Sequence, residues 1–208
     1  MKKILNLYSG LGGNRKLWGN DYDITAVELD EETANVYKQY YPNDKVIIAD
    51  AHKFLLENYM NYGFIWASPP CPSHSDVRRA AVQGGKHKAV YPDMTLYQEI
   101  ILLMNFGKCY WVIENVKPYY KPLIEPKKEL HRHLFWSNFT IGSFEDITKC
   151  KSISNQTGMQ KRYGYDISKT KIKDKRKALR NMVDPALAKY ILDCAMNKQQ
   201  GLDGFFRW

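Results

Sequence analysis

Short apolar runs alternate with amphipathic stretches through the first two-thirds of the chain. The runs at residues 4–8, 24–29, 46–49, 64–67 and 110–113 are short and partly β-branched, which predicts buried strands. The stretches at 31–40, 52–59 and 95–106 have helical spacing. Repeated strand–helix alternation predicts a doubly wound, mostly parallel α/β sheet with helices on both faces. Such sheets bind ligands at the carboxyl ends of their strands, so the residues after each run are the candidates for chemistry.

Two stretches interrupt this alternation. Residues 69–93 are predicted to form a long polar loop, and loops of that length are uncommon unless functional or disordered. The other interruption, residues 147–181, is strongly basic. After it, Asp184 and Pro185 are typical of a helix start, and the apolar stripe that follows predicts a last helix packed on the core.

The net charge of +9 lies in that basic stretch. Residues 147–181 contain eleven Lys or Arg and two acids, so the rest of the chain is neutral. A local excess of this kind predicts a nucleic-acid interface. Tyr163 and Tyr165 stand between the cations, where they are expected to stack or anchor. A solvated basic loop without a partner is the alternative.

The composition of the chain argues against a membrane protein, against disulfides and against a metal site. With 208 residues and 44% hydrophobic residues, the chain can bury one ordinary core. No apolar run approaches membrane-spanning length, and the start breaks up before a signal-peptide core, which predicts a cytoplasmic protein without a membrane partner. The cysteines are too scattered for disulfides or a metal site, so no metal is expected; they are Cys71, Cys109, Cys150 and Cys194.

The first three strand ends carry a glycine-rich loop and two acids. The loop at residues 9–13 allows close approach of the backbone to a ligand, and Arg15 stands where a dinucleotide site needs glycine, which disfavours a dehydrogenase. Glu28 ends the second strand, where it could accept hydrogen bonds from two ribose hydroxyls or simply be a surface acid. Asp50 ends the third, where it could bind an adenine amino group or cap a helix.

The fourth and fifth strands end in a cysteine and an acid. Pro69 and Pro70 stiffen the backbone before Cys71, whose thiolate would be a strong nucleophile, with a pKa expected to be lowered by nearby cations. The alternative is a small buried side chain. Glu114 should face the same crevice, where burial could hold it protonated; a capping or salt-bridged acid is the alternative.

In this order the motifs resemble those of the cytosine-5 DNA methyltransferases. The resemblance covers most of residues 3–139, resumes near Leu179, and implies the Rossmann-like fold of S-adenosylmethionine-dependent methyltransferases. It rests on Tyr8 with the glycine loop, Glu28, Asp50, Pro69-Pro70-Cys71, Glu114-Asn115-Val116 and Asn181-Met182-Val183. The implied cofactor-binding residues are Tyr8, Ser9, Gly10, Gly12, Gly13, Glu28, Leu29, Asp50, Ala51, Pro70, Leu96, Asn181 and Met182.

The resemblance also implies a mechanism. The Cys71 thiolate attacks carbon 6 of a flipped-out cytosine, Glu114 stabilises charge at the ring nitrogen, and carbon 5 takes the methyl group. The loop at 69–93 would close over the base, and double-stranded DNA is the expected partner. The implied DNA-binding residues are Ser73, Arg78, Arg79, Lys86, Lys88, Arg132, Lys161, Arg162, Lys171 and Lys173.

The chain departs from the family pattern in three places. Pro72 stands where Gln is usual, and His131-Arg132-His133 is the nearest match to an Arg-x-Arg pair. His131 and His133 are therefore assigned to the catalytic set, with Arg132 as the alternative carrier of charge. Residues 1–140 and 178–208 are expected to form the catalytic cofactor-binding domain, and 141–177 only a short basic target-recognition segment. A homodimer or an accessory specificity partner is the alternative source of recognition.

Three other functions remain open. Ser68-Pro69-Pro70 fits an amino methyltransferase acting on cytosine or adenine, although Cys71 and Glu114 do not. RNA cytosine-5 methylation would use the same motifs, and the short recognition segment also suits a catalytically silent DNA-binding module. A restriction–modification enzyme, an orphan methylase and a phage self-protection enzyme would share this sequence pattern.

Overall fold

A computed structural model describes residues 2–144 and 155–203 of the chain. Part of the basic stretch, together with Cys150, lies outside the described residues. The strands are β1 (Lys2–Leu7), β2 (Tyr22–Glu28), β3 (Lys45–Ile48), β4 (Phe64–Ala67), β5 (Tyr110–Val116), β6 (Lys128–Leu130) and β7 (His133–Ser137). The α-helices are α1 (Glu31–Tyr40), α2 (Ala51–Asn58), α3 (Asp76–Gln83), α4 (Thr95–Phe106), α5 (Gln156–Tyr163), α6 (Lys175–Arg180) and α7 (Pro185–Asp203).

The described strands form one sheet in the order β3-β2-β1-β4-β5-β7-β6. Strands β1 to β5 are parallel to their neighbours, and all five runs predicted as strands are strands. The chain moves outward from β1 to β3 and then crosses back to β4, so the winding direction reverses between β1 and β4. That reversal is where doubly wound sheets bind ligands. The predicted fold class is confirmed.

Alternating side chains of the sheet enter two separate apolar cores. On one face, Ile4, Phe64 and Val112 pack against α7. On the other face, Leu5 and Ile65 pack against α2 and α4. This alternation is the two-residue period of a strand covered on both sides, and it explains why the predicted strands are nearly continuous apolar runs.

The last helix and its cap match the sequence prediction. Asp184 Oδ1 accepts from the Ala186 N–H over 2.9 Å, and Pro185 occupies the first turn, where a missing N–H costs nothing. Leu187 and Ile191 are fully buried against the sheet. No helix among the described residues is long and apolar enough to cross a membrane.

The stretch 69–93 is not a loop throughout, so that prediction is wrong in part. Helix α3 forms within it, because Ser75 Oγ accepts from the Arg78 N–H over 3.3 Å and caps the first turn. None of the α3 residues is buried. Its few apolar residues are small and reach no core, so this part of the sequence resembles a polar loop.

The end of the sheet differs from its parallel part. Strand β7 runs antiparallel to β5, and β6 antiparallel to β7. His131 and Arg132 form the turn between them, and His131 has a positive φ of 56°. The two histidines of the His-Arg-His match are thus separated, because His133 alone lies on β7.

Residues 155–183 build a third, smaller core on the outside of the glycine-rich loop. Met159, Tyr165, Ile167 and Ile172 are buried there, together with Leu11 from the loop. The described part of the basic stretch is therefore folded onto the rest of the protein rather than solvated along its length.

Candidate active site

Three adjoining cavities run along the carboxyl ends of the parallel strands. The outer cavity, of about 580 Å³, lies beside Glu28 and Asp50. The central cavity, of about 270 Å³, lies over the glycine-rich loop. The basic cavity, of about 570 Å³, lies between the ends of β4 and β5 and helix α6. Pro70 lines all three and Cys71 lines the last two, so the cavities form one continuous cleft.

The glycine-rich loop is tied to strand β2. The Ser9 N–H donates to the Val27 carbonyl over 3.1 Å, and the Gly10 N–H donates to Glu28 Oε2 over 2.9 Å. Ser9 Oγ is buried and has no hydrogen-bond partner among the described residues. The predicted cofactor residues that line the central cavity are Tyr8, Ser9, Gly10, Gly13, Glu28, Pro70, Asn181 and Met182.

Two glycines let other parts of the chain close onto this loop. Gly12 has a φ of +82°, and a Cβ there would lie 2.4 Å from a ring carbon of Tyr41. A Cβ on Gly13 would lie 2.9 Å from both Met182 Cβ and the Val183 carbonyl. Gly12 thus supports the loop from behind, and Gly13 admits the segment that carries Asn181.

A buried polar network supports the loop. Arg15 donates to both carboxylate oxygens of Asp44, over 2.8 and 3.1 Å, and both side chains are at most 5% exposed. The Tyr37 hydroxyl donates to the same carboxylate over 2.8 Å. Arg15 therefore has a structural role at the position that disfavoured a dehydrogenase.

The two acids at the strand ends both line the outer cavity. The Glu28 carboxylate accepts three backbone N–H groups at 2.9–3.0 Å, two at Oε1 and one at Oε2, which leaves one lone pair of Oε2 without a partner among the described residues. Asp50 Oδ1 caps α2, as the helix-cap interpretation predicted, and Asp50 also lines the outer cavity. Leu29 and Ala51 line the outer cavity as well. Leu96 is instead buried in the core between α4 and the sheet.

Cys71 is positioned from strand β5. The Asn115 side-chain amide donates to the Pro69 carbonyl over 3.0 Å, and its oxygen accepts from the Val116 N–H over 2.9 Å. The turn after Cys71 closes when the His74 N–H donates to the Cys71 carbonyl over 3.0 Å. The nucleophile candidate is thus fixed on both sides.

Glu114 and His133 face each other inside the basic cavity. His133 Nε2 lies 3.5 Å from Glu114 Oε1, and the two residues are 8% and 6% exposed. Burial lowers the pKa of His133, so its ring is neutral at neutral pH. His133 Nδ1 is buried and has no hydrogen-bond partner among the described residues.

The prediction of a lowered pKa for Cys71 is wrong. Burial raises the pKa of the thiol, and the Glu114 carboxylate raises it further. Arg132 and Lys177 act in the opposite direction, but more weakly. The cations are present, as the sequence predicted, but desolvation of the thiolate outweighs them.

Arg132, rather than His131, brings charge into the cleft. Arg132 lines the basic cavity, and its guanidinium donates to the Arg180 carbonyl over 2.7 Å. His131 is exposed, and its ring packs against Phe144 with centroids 5.8 Å apart. The structure therefore does not bring His131 together with Cys71 and His133.

The cations of stretch 69–93 occupy different positions. Arg78 lines the basic cavity and donates to the Lys88 carbonyl over 2.9 Å. Arg79 pairs with Asp76 on the exposed side of α3 over 2.8 Å. Lys86 and Lys88 are exposed in the turn that follows. Only Arg78 of these four reaches the cleft.

The basic segment of α5 and α6 presents its charge outward. Lys161, Lys171 and Lys173 are exposed, and Arg162 forms an ion pair with Asp184 over 3.2 Å. Within α6, Lys177 lines both the central and the basic cavity.

Tyr165 is too deeply buried to stack on nucleic acid, so of the two expectations for it, stacking or anchoring, the structure agrees only with anchoring. It is 2% exposed, and its hydroxyl donates to the Gly12 carbonyl over 3.0 Å. Tyr163 is half-buried, with the Arg162 guanidinium 5.7 Å from its ring centroid.

Comparison with known proteins identifies the family of this chain. The profile of the C-5 cytosine-specific DNA methylases matches residues 2–130, which is more than half of the chain. The chain belongs to that family. Among curated proteins, none matches the chain.

Two solved methyltransferase structures match part of this chain. A variant of DNMT2 from Spodoptera frugiperda is 25% identical over 56% of this chain and 36% of its own, with a TM-score of 0.40. A SAM-dependent methyltransferase from Agrobacterium tumefaciens is 17% identical over 58% of this chain and 40% of its own, with a TM-score of 0.42. The chain thus spans well under half of either protein.

The family match ends before β7 and the basic segment. Cys71 and Glu114 lie inside the matched range, whereas His133 and Asn181 lie beyond it. Among the described residues, no cluster of three or more His, Cys, Asp or Glu could hold a metal ion.

Two buried polar groups beside the cleft were not predicted from the sequence. Glu99 of α4 is fully buried, accepts a short hydrogen bond from the Tyr8 hydroxyl, and lies 3.1 Å from His52 Nδ1. His74 is also fully buried, and its Nδ1 lies 2.6 Å from the Tyr120 hydroxyl. Both residues sit within helical or loop patterns that carry no motif, so only a buried polar side chain in an apolar stripe could have marked Glu99.

The base of the stretch 69–93 is closed by a further contact. The Asp93 N–H donates to Ser73 Oγ over 2.9 Å, which joins the two ends of that stretch. Ser73 thus has an internal partner in addition to its predicted place among the DNA-binding residues.

Proposed function

We propose that this chain transfers a methyl group from S-adenosylmethionine to carbon 5 of cytosine in DNA, with Cys71 as the nucleophile. The observation that carries the proposal is the position of Cys71. It stands where the central cavity, built by the glycine-rich loop, opens into the basic cavity that holds Glu114. A nucleophile at that junction can reach a base in one cavity while a methyl donor occupies the other.

The residues of the central and outer cavities fit the cofactor. The unpartnered Ser9 hydroxyl and the Asn181 side chain offer polar contacts for the methionine part. The remaining lone pair of Glu28 Oε2 suits a ribose hydroxyl, and Asp50 lies farther along the same cleft for the adenine amino group. S-adenosylmethionine bound there supplies the methyl group.

Cys71 would then make cytosine reactive. Because burial raises the pKa of the thiol, Cys71 would first lose its proton to a base; the thiolate would then add to carbon 6, so an Sγ–C6 bond forms and electron density moves to carbon 5. Carbon 5 gains the methyl group, loses its proton to a base, and the Sγ–C6 bond breaks. Covalent addition divides one slow step into two easier ones.

The neighbours of Cys71 have supporting roles in this scheme. Glu114, close to the nucleophile, would grip the ring nitrogen and amino group of the base. His133, neutral beside Glu114, would hold the orientation of that carboxyl group. Asn115 keeps the Pro69 carbonyl and hence the Cys71 backbone in place.

Duplex DNA would meet the cleft along its cations. The target base must leave the helix to reach Cys71. Arg78, Arg132 and Lys177 line the cavity that would receive it, and Lys171 and Lys173 extend the positive surface outside. Residues 141–177 would supply a minimal target-recognition segment beside the catalytic domain, with a homodimer or an accessory partner as the alternative.

A mechanism-based trap tests the proposal. The protein is incubated with S-adenosylmethionine and random-sequence duplexes that carry 5-fluorocytosine at every cytosine, followed by denaturing electrophoresis. Fluorine cannot leave carbon 5 as a proton does, so the covalent adduct should persist. Cys71→Ala should abolish it, while the control Cys109→Ala, at the opposite end of the sheet, should retain it.

The outcomes separate the rival functions. An adduct that survives Cys71→Ala, or no adduct despite cofactor binding, would contradict the proposal. An N-methylated product with activity retained in Cys71→Ser would identify an amino methyltransferase. An adduct formed with fluorinated RNA but not with DNA would move the substrate to RNA.

A further inference from the structure

The Gly12 carbonyl is the meeting point of two tyrosine hydroxyls from distant parts of the chain. Tyr41, after α1, donates to it over 3.0 Å, and Tyr165, after α5, donates over the same distance. The two hydroxyls also contact each other. Gly12 lies between Leu11 and Gly13, which both line the central cavity. Its backbone position therefore sets the floor of the proposed cofactor site.

Tyr165 is held in place by several contacts around the loop. The centroids of the Tyr165 and Tyr40 rings are 4.5 Å apart, and Lys16 Nζ lies 4.9 Å from the centroid of the Tyr165 ring. Lys16 also donates to the Tyr163 carbonyl, and the Asp166 N–H donates to the Tyr40 hydroxyl over 2.7 Å. The segment around Tyr165 is thus fastened to the turn that directly follows the glycine-rich loop.

The same segment has an opposite, cationic face. Lys171 and Lys173 are exposed on either side of Ile172, which is buried. Ile172 belongs to the third core together with Met159, Tyr165 and Ile167, so the cationic face and the Tyr165 contact are parts of one packed unit. Phosphates bound to this face would stabilise that packed unit and, through Tyr165, the Gly12 carbonyl.

We propose that Tyr165 is a positioning residue that couples duplex binding on the basic segment to cofactor binding in the central cavity. The proposal rests on the proposed function, because it requires both ligands. Coupling between two sites is reciprocal, so each ligand should tighten the other by the same factor. Tyr41 contacts the same carbonyl from the catalytic domain and should not transmit the effect.

The test measures binding, not turnover. The dissociation constant of S-adenosylmethionine is measured by calorimetry with and without a saturating duplex, in the wild type, Tyr165→Phe, Tyr41→Phe and Tyr163→Phe. We expect the duplex to tighten cofactor binding about tenfold in the wild type. Both Tyr165→Phe and Tyr41→Phe should weaken the cofactor alone by about fivefold, the effect of one hydrogen bond.

Only Tyr165→Phe should reduce the coupling, to twofold or less, while Tyr41→Phe and the control Tyr163→Phe keep it. In a parallel hydrogen-exchange experiment, the duplex should slow exchange of the amides at residues 10–16 in the wild type and not in Tyr165→Phe. Equal coupling in Tyr165→Phe and Tyr41→Phe would overturn the inference and leave the proposed function intact. A wild type that binds neither ligand would overturn both.

Discussion

The two walls of the cleft are built in different ways. One wall consists of strand ends, where Glu28, Cys71 and Glu114 leave a sheet that is covered on both faces. The other wall is the segment 155–183, which rests on a small third core and carries Lys177 and Asn181. The difference teaches that the candidate catalytic residues stand on a rigid wall supported by the two large cores, whereas the cationic wall is supported by its own small core and by contacts to the glycine-rich loop.

The largest loss should follow from breaking the support of the rigid wall. Asp44→Asn leaves the Arg15 guanidinium buried without its charged partner, which should lower the free energy of unfolding by about 3–5 kcal/mol. Urea unfolding measures it. Glu129→Gln removes the exposed pair with Lys117 and should cost less than about 1 kcal/mol. Similar losses in both variants would contradict the structural role of Arg15.

The packing of the glycine-rich loop against Tyr41 should be the next most sensitive point. Gly12→Ala adds a Cβ 2.4 Å from Tyr41 at a φ of +82° and should cost about 3 kcal/mol, from overpacking and backbone strain together. Gly19→Ala is the matched control, because its φ is +80° and nothing lies within 4 Å of the added carbon. It should cost about 1 kcal/mol. Thermal or urea unfolding of both variants isolates the packing contribution.

The second wall should respond in binding rather than in stability. Lys171→Gln with Lys173→Gln should reduce the slope of log K against log salt for duplex binding by about two, one counterion for each lost phosphate contact. Extending the change to Lys175 and Lys177 should flatten the slope further. Lys38→Gln with Lys53→Gln, exposed elsewhere, should leave it unchanged. A salt titration in which both double variants behave alike would remove the basic segment from the interface.

The smallest effect concerns Glu99 of the rigid wall. Burial raises the pKa of Glu99, and the Glu99 hydrogen bond raises the pKa of His52. Because the folded protein raises the pKa of the Glu99 carboxyl group, its contribution to stability is lost as pH rises above 4.5. Because it also raises the pKa of His52, the contribution of that histidine is lost as pH rises above 6.5. The stability of the wild type relative to Glu99→Gln should therefore fall between pH 5 and 8, by about 1 kcal/mol or less.

Urea unfolding at four pH values across that range checks this prediction. The control is Glu57→Gln, which changes an exposed carboxylate on α2 and should keep the pH dependence of the wild type. A difference between wild type and Glu99→Gln that rises with pH would have the wrong sign for a carboxyl group disfavoured by burial.

The rigid wall could be predicted from the sequence because burial leaves a readable pattern. The strands are apolar runs since both faces are covered, and the ends of those runs place Glu28, Asp50, Cys71 and Glu114 on one edge. The helix α3 was missed because it is short, buries no residue and lies within a polar stretch, although its few apolar residues have helical spacing. The order of the strands in the sheet, more than the exact residue at which each strand ends, brings these four residues to one edge.

The rest of the site depends on contacts between residues far apart in sequence. Nothing in the local pattern links Asn115 to the Pro69 carbonyl, or Tyr165 to the Gly12 carbonyl. The raised pKa of Cys71 also depends on how deeply the thiol is buried, which spacing alone does not state. Motifs identify the groups, whereas folding determines their environment.

The central cavity has a consequence for the order in which the protein is made. Its floor is the glycine-rich loop near residue 10, and its lid is the segment around Asn181, fitted closely against Gly13. A ribosome that has completed the matched family region has therefore synthesised every strand of the parallel sheet but only part of the residues that line this cavity. Any cofactor binding that needs both walls begins late in synthesis, when the basic segment has emerged and closed over the loop.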